Sequence, residues 1–117
     1  MDSSILQNRL KQFAYRIVKV TDQMPDTLVT KVLKNQILRS GFSGAANYRS
    51  ACRAYSRRSF AAKLGISLEE VDESVFWLEV IGDLEYIPMK RLQPLIEEGN
   101  ELCKILAKSI LTTKSKK

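Results

Sequence analysis

The stretch Phe60-Ala61-Ala62-Lys63-Leu64-Gly65-Ile66-Ser67-Leu68-Glu69-Glu70-Val71-Asp72-Glu73-Ser74-Val75-Phe76-Trp77-Leu78 decides the fold. Within it Phe60, Leu64, Val71, Val75 and Leu78 keep heptad spacing, and Leu68 fills an adjoining inward position. Apolar residues on that period form one seam of an α-helix, the seam by which helices of a bundle pack. The same helix also carries Phe76, Trp77, Val80 and Ile81. Successive side chains point about 100° apart, so one inward stripe cannot hold all of them. These four residues are expected at a subunit interface, where Trp and Phe are enriched; an unusually wide core is the alternative.

Working outward, three more segments read at helical period. Leu6, Leu10, Phe13, Ile17, Val20 and Met24 form one stripe, with Ser3 or Ser4 as the expected cap and Pro25 as the stop. Asp26 or Thr27 can then accept the free amides of a second helix, which places Val29, Val32, Leu33 and Ile37 inward. This helix meets Ser40-Gly41-Phe42-Ser43-Gly44-Ala45-Ala46, where each Gly costs roughly 1 kcal/mol relative to Ala. Ala45, Ala46, Ala51, Cys52 and Tyr55 continue the pattern, so one long helix to Tyr55 is expected. Gly41 and Ala45, like Ser40 and Gly44, are spaced by four and mark a face that a second backbone can approach closely. A phosphate-binding glycine loop is disfavoured, since no strand precedes it. The fourth segment holds Leu92, Leu95, Ile96, Leu102, Ile105, Leu106 and Ile110, with Pro94 arguing for a start later than Met89.

The expectation is thus one all-α domain over residues 1–117, an antiparallel up-and-down four-helix bundle. Its helices cover roughly 4–23, 27–55, 58–82 and 89–112, and a tail frays over 113–117. No apolar run is long enough to cross a bilayer and no secretory signal opens the chain, which predicts a cytoplasmic protein with no membrane partner. Cys52 and Cys103 lie far apart in apolar stretches and read as buried, reduced thiols.

The chain contains no histidine, which removes the commonest general base and transition-metal ligand. Glu69, Glu70, Asp72 and Glu73 cluster, but bundle metal sites use Glu-x-x-His pairs, so these read as a solvated face. The sequence therefore assigns no catalytic residue, metal, cofactor or small-molecule substrate.

Charge is more telling. Lys and Arg number 19 against 13 Asp and Glu, a net +6. Residues 1–63 hold 12 basic and 3 acidic side chains, +9; residues 64–117 hold 7 and 10, −3. Such a basic half attracts polyanions, of which nucleic acid is the commonest in the cytoplasm. Arg49, Arg53 and Arg57 follow at steps of four, flanked by Arg58, Lys63, Asn47, Tyr48 and Tyr55. On one helix face, guanidiniums about 6 Å apart suit phosphates, and Tyr can stack on a base. The same arginines could instead pair with Glu69, Glu70, Asp72 or Glu73. RNA binding and a pure protein-interaction scaffold are the two functional expectations.

Three runs carry a family resemblance: Leu38-Arg39-Ser40-Gly41-Phe42-Ser43-Gly44-Ala45-Ala46-Asn47-Tyr48-Arg49-Ser50-Ala51, Ser56-Arg57-Arg58-Ser59-Phe60-Ala61-Ala62-Lys63-Leu64-Gly65-Ile66, and Glu70-Val71-Asp72-Glu73-Ser74-Val75-Phe76-Trp77-Leu78-Glu79. In that order and at those distances they resemble the bacterial four-helix-bundle family encoded in intervening sequences of large-subunit ribosomal RNA. The likeness covers nearly the whole chain. It implies the bundle fold, a ring-like homo-oligomer, specifically a pentamer, and an association with ribosomal RNA. Related accessory proteins of diversity-generating retroelements share the bundle and bind nucleic acid and a reverse transcriptase. Ser50 stands where that family often carries Glu, which adds to the basic character here.

Overall fold

Each of the first three helices starts where a side chain can take up the free amides of its first turn. The structure, a computed structural model, describes residues 1–115. Asp2 Oδ1 accepts from the Ser4 amide at 2.8 Å and opens α1 (Ser3–Asp22), so the cap is Asp2 rather than Ser3 or Ser4. Thr27 and Thr30 exchange reciprocal hydrogen bonds, 2.8 and 3.1 Å, at the start of α2 (Leu28–Cys52). Ser56 Oγ accepts from the Ser59 amide at 3.0 Å and opens α3 (Arg57–Asp83). That helix closes on Glu85, held at φ 63°, with Glu85 N–H donating to Gly82 O and Tyr86 N–H to Ile81 O. Pro88 then leads into α4 (Met89–Ser115).

Two boundaries differ from expectation, and Pro94 does not delay the start of α4. α2 ends at Cys52, not Tyr55, because Ser56 takes the extended geometry (φ −142°, ψ 155°) that an N-cap requires, and four residues are needed to reverse the chain. α4 begins at Met89 and passes through Pro94. The carbonyl that Pro94 leaves without a helical donor is that of Lys90, in an exposed first turn where water can serve it. Residues 113–115 are helical rather than frayed, and residues 116 and 117 lie outside the described part.

Contacts between neighbouring helices run in opposite senses. Gly44 meets Ser67 while Ser40 meets Ser74, so α2 and α3 are antiparallel. Arg9 meets Glu98 and Gln23 meets Arg91, so α1 and α4 are antiparallel too. The four helices pack around the perimeter, α1 on α2, α2 on α3, α3 on α4 and α4 on α1, in a body of 49 × 23 × 19 Å. Among the described residues there is no strand.

The core takes Leu6, Leu10, Phe13 and Ile17 from α1, Leu33 and Ile37 from α2, Leu64, Val71, Val75, Leu78 and Ile81 from α3, and Leu92, Leu95, Ile96, Leu102 and Leu106 from α4. Val29 and Val32 do not join it: they are 47% and 52% exposed. The α2–α3 seam is polar and tight. Ser40 Oγ and Ser74 Oγ lie 2.8 Å apart, Ser67 Oγ donates to Gly44 O at 2.7 Å, and all three serines are buried. A Cβ on Gly44 would lie 2.9 Å from Val71 Cγ2 and 3.6 Å from the Val71 backbone nitrogen.

Gly65 differs from Gly44: nothing lies within 4 Å of where its Cβ would stand. Gly65→Ala should therefore stabilise the protein by about 0.5–1 kcal/mol through helix propensity and unfolded-state entropy. Gly44→Ala should destabilise it by about 1–3 kcal/mol through overpacking. Urea melts of the two variants check both signs.

Candidate nucleic-acid interface

The turn Arg53–Ser56 breaks the expected arginine ladder. Arg49 lies in the last turn of α2, Arg53 is its C-cap, and Arg57 is the first residue of α3. The three therefore do not share one helix face. The turn instead builds a shallow groove of about 390 Å³, lined by Arg49, Ser50, Arg53, Tyr55, Ser59 and Lys63 together with Ala46 and Ala54. Arg57 and Arg58 face a separate depression with Ala61, Thr113 and Lys114.

Two predicted contact residues are engaged elsewhere. Tyr48 is only 6% exposed and belongs to the core, so its ring is not free to stack on a base. Burial, and then the Cys52 thiol beside it, push its phenol well above the usual tyrosine range. Asn47 Nδ2 donates to Ser43 O at 2.9 Å and to Ser43 Oγ at 3.0 Å, which folds the amide back on α2. Tyr55, by contrast, is 98% exposed on the groove rim.

The anticipated pairing of Arg49 or Arg53 with the acidic cluster does not occur among the described residues. Arg39 holds that place: it donates to Glu70 Oε2 at 2.7 Å and to Glu73, and Trp77 Nε1 donates to Glu73 Oε2 at 3.1 Å. Arg39 was absent from the expected site because its partners lie one helix away, a register that spacing within a helix does not reveal. Arg49, Arg53 and Lys63 form no ion pair among the described residues.

Of the expected interface residues, Ile81 is fully buried and part of the core. Its position seven residues after the buried Ser74 carries that signal. Trp77 and Val80 are partly buried against the core, and Phe76 is 53% exposed with its ring edge-on to Trp77 at 4.9 Å. Leu28, Val29, Val32 and Leu84 are also exposed. By the antiparallel register, the start of α2 lies level with the end of α3, which gathers these residues at the end of the hairpin away from the basic groove.

Cys52 and Cys103 are free and half-buried rather than buried. Among the described residues no group of His, Cys, Asp and Glu could hold a metal ion, and no helix is long and apolar enough to cross a membrane.

In a comparison to protein families, the family described as 23S rRNA-intervening sequence protein matches residues 3–108. The chain belongs to that family. It is also similar to a crystallised protein of unknown function from the S23 ribosomal protein family of Bacteroides thetaiotaomicron, at 36% identity. That superposition has a TM-score of 0.80 and covers 90% of this chain and 97% of the other. No curated protein matches.

Burial raises the Cys103 thiol to about 11, with Asp72 adding a smaller push in the same direction. A neutral form favoured by the folded state keeps its stabilisation below the unfolded thiol value and loses it above. Stability should thus fall as pH rises from about 9 towards 11. Cys103→Ser should flatten part of that decline, read from urea melts across the range.

Proposed function

We propose that this family member is a non-enzymatic, cytoplasmic homo-oligomer that binds RNA through the groove at the α2–α3 turn. Ribosomal RNA is the first candidate, by the family's association with 23S rRNA. The observation that carries the reading is the convergence of Arg49, Arg53 and Lys63 on one groove beside Tyr55, with no carboxylate neutralising them among the described residues. Arginine forks in such a groove match phosphate oxygens, and the attraction is independent of sequence. Assembly, with a five-membered ring as the form the family resemblance suggests, would use the apolar end formed by Leu28, Val32, Phe76, Trp77 and Leu84.

A protein-interaction scaffold is the second reading, favoured by the same apolar end, where Leu28 is 83% exposed. The two readings separate in one experiment. Arg49→Ala with Arg53→Ala should flatten the log–log salt dependence of RNA binding by about 1.5 units, at close to 0.7 per phosphate for a single strand. The melting temperature should hold, since neither residue is ion-paired among the described residues. An unchanged slope would remove the RNA reading and leave the scaffold.

Assembly has its own test. Phe76→Asp with Leu84→Asp alters residues that are half exposed in the single chain, so the bundle should still fold. Light scattering should then report a 13.3 kDa monomer where the parent chain is several times heavier. A parent chain that is itself monomeric at micromolar concentration sinks the assembly.

A further inference from the structure

The basic groove does not end at Arg49. A second depression of about 230 Å³, lined by Gln7, Lys11, Tyr15, Phe42, Ala45, Ala46 and Arg49, shares Ala46 and Arg49 with it. Its lining includes an aromatic pair, Tyr15 and Phe42, with ring centroids 6.3 Å apart and planes tilted by 54°. Both rings are substantially exposed, 44% and 42%, so the core does not account for them. At the far end of the first groove stands Tyr55, which contributes almost no buried surface to the fold. Between Asp26 and Glu69 the chain has no acidic residue, so α2 and α3 up to Leu68 bring only cations to this surface.

We infer that the two depressions form one track for an unpaired segment of RNA. Bases stack on Tyr55 at one end and on Tyr15 and Phe42 at the other, while Lys11, Arg49, Arg53 and Lys63 take the phosphates between. The inference rests on the RNA-binding reading above and narrows it to single strands. A duplex stacks its bases on one another and leaves no base face for an exposed ring, whereas an unpaired strand offers every base face. The small side chain of Ala46 lines both depressions and, with Ala45 beside it in the second, keeps the surface low where the strand would cross. From Phe42 to Arg53 the helix rises about 16 Å, room for a few nucleotides.

The test uses fluorescence anisotropy of the full chain with a labelled oligouridine and with a blunt-ended RNA duplex of equal strand length. The oligouridine should bind more tightly. Tyr55→Ala and Phe42→Ala should each weaken it by about 5- to 10-fold while leaving its salt slope unchanged, and should move duplex binding by less than about 2-fold. Tyr55→Phe should restore the oligouridine affinity, because it keeps the stacking face. Equal binding of the two probes, or indifference of the oligouridine to both alanine variants, overturns the single-strand track. Where Arg49→Ala with Arg53→Ala still flattens the slope, that failure leaves the broader RNA reading intact. Absence of binding to either probe overturns both.

Discussion

The close approach of α2 and α3 governs what the rest of the molecule can do. With Gly44 in place of a side chain, the two backbones come within reach of a Ser67 hydroxyl donating to the Gly44 carbonyl, and Ser40 pairs with Ser74 one turn away along α2 and two along α3. Each buried hydroxyl has a partner, and no buried side-chain polar atom among the described residues lacks one. The seam therefore costs little desolvation that is not recovered. Apolar seams tolerate axial slippage better than a row of hydrogen bonds does. These serines fix the height at which α3 stands against α2.

Everything on the outer face of that hairpin inherits this height. Arg39 meets Glu70 and Glu73 because the register sets them level, and Trp77 then shares Glu73. Arg39 is half exposed, so the pairing adds little stability. Its effect is positional: the carboxylates of α3 that lie nearest α2 are occupied by a cation from mid-helix. The cations at the turn are left without an internal counter-charge among the described residues. On the opposite flank Arg9 grips Glu98 through two nitrogens, 2.7 and 3.1 Å, and ties the first helix to the last.

Periodicity within a helix was enough to find four helices, most core residues and the small-residue seam. What it missed was decided between helices. The pattern Ala51, Cys52, Tyr55 continues at helical spacing, yet Ser56 must be extended to cap α3, and one residue's backbone preference ends the helix early. The arginines at steps of four consequently separate across a turn, although the groove re-gathers Arg49, Arg53 and Lys63. Tyr48 lies four residues after the buried Gly44 and three before the buried Ala51, a position that already marked it as interior. Its polar tip had favoured the surface reading. The pairing of Tyr15 with Phe42 is not legible in the sequence, because each sits off its own helix's stripe and only the α1–α2 packing brings the rings together.

The basic groove and the apolar cluster occupy opposite ends of a 49 Å body. Val32 and Arg49 are separated by about 26 Å along α2, at 1.5 Å per residue. The Debye length at physiological ionic strength is about 8 Å, so the field of one end has decayed before it reaches the other. Free energies of events at the two ends should therefore add, as they do for distant sites without shared partners. An RNA strand bound at the turn, as proposed, would neither favour nor oppose self-association through charge. Whatever the proposed assembly contributed to holding a long strand would then enter as effective concentration, several grooves presented to one strand, and not as a change in the affinity of any single groove.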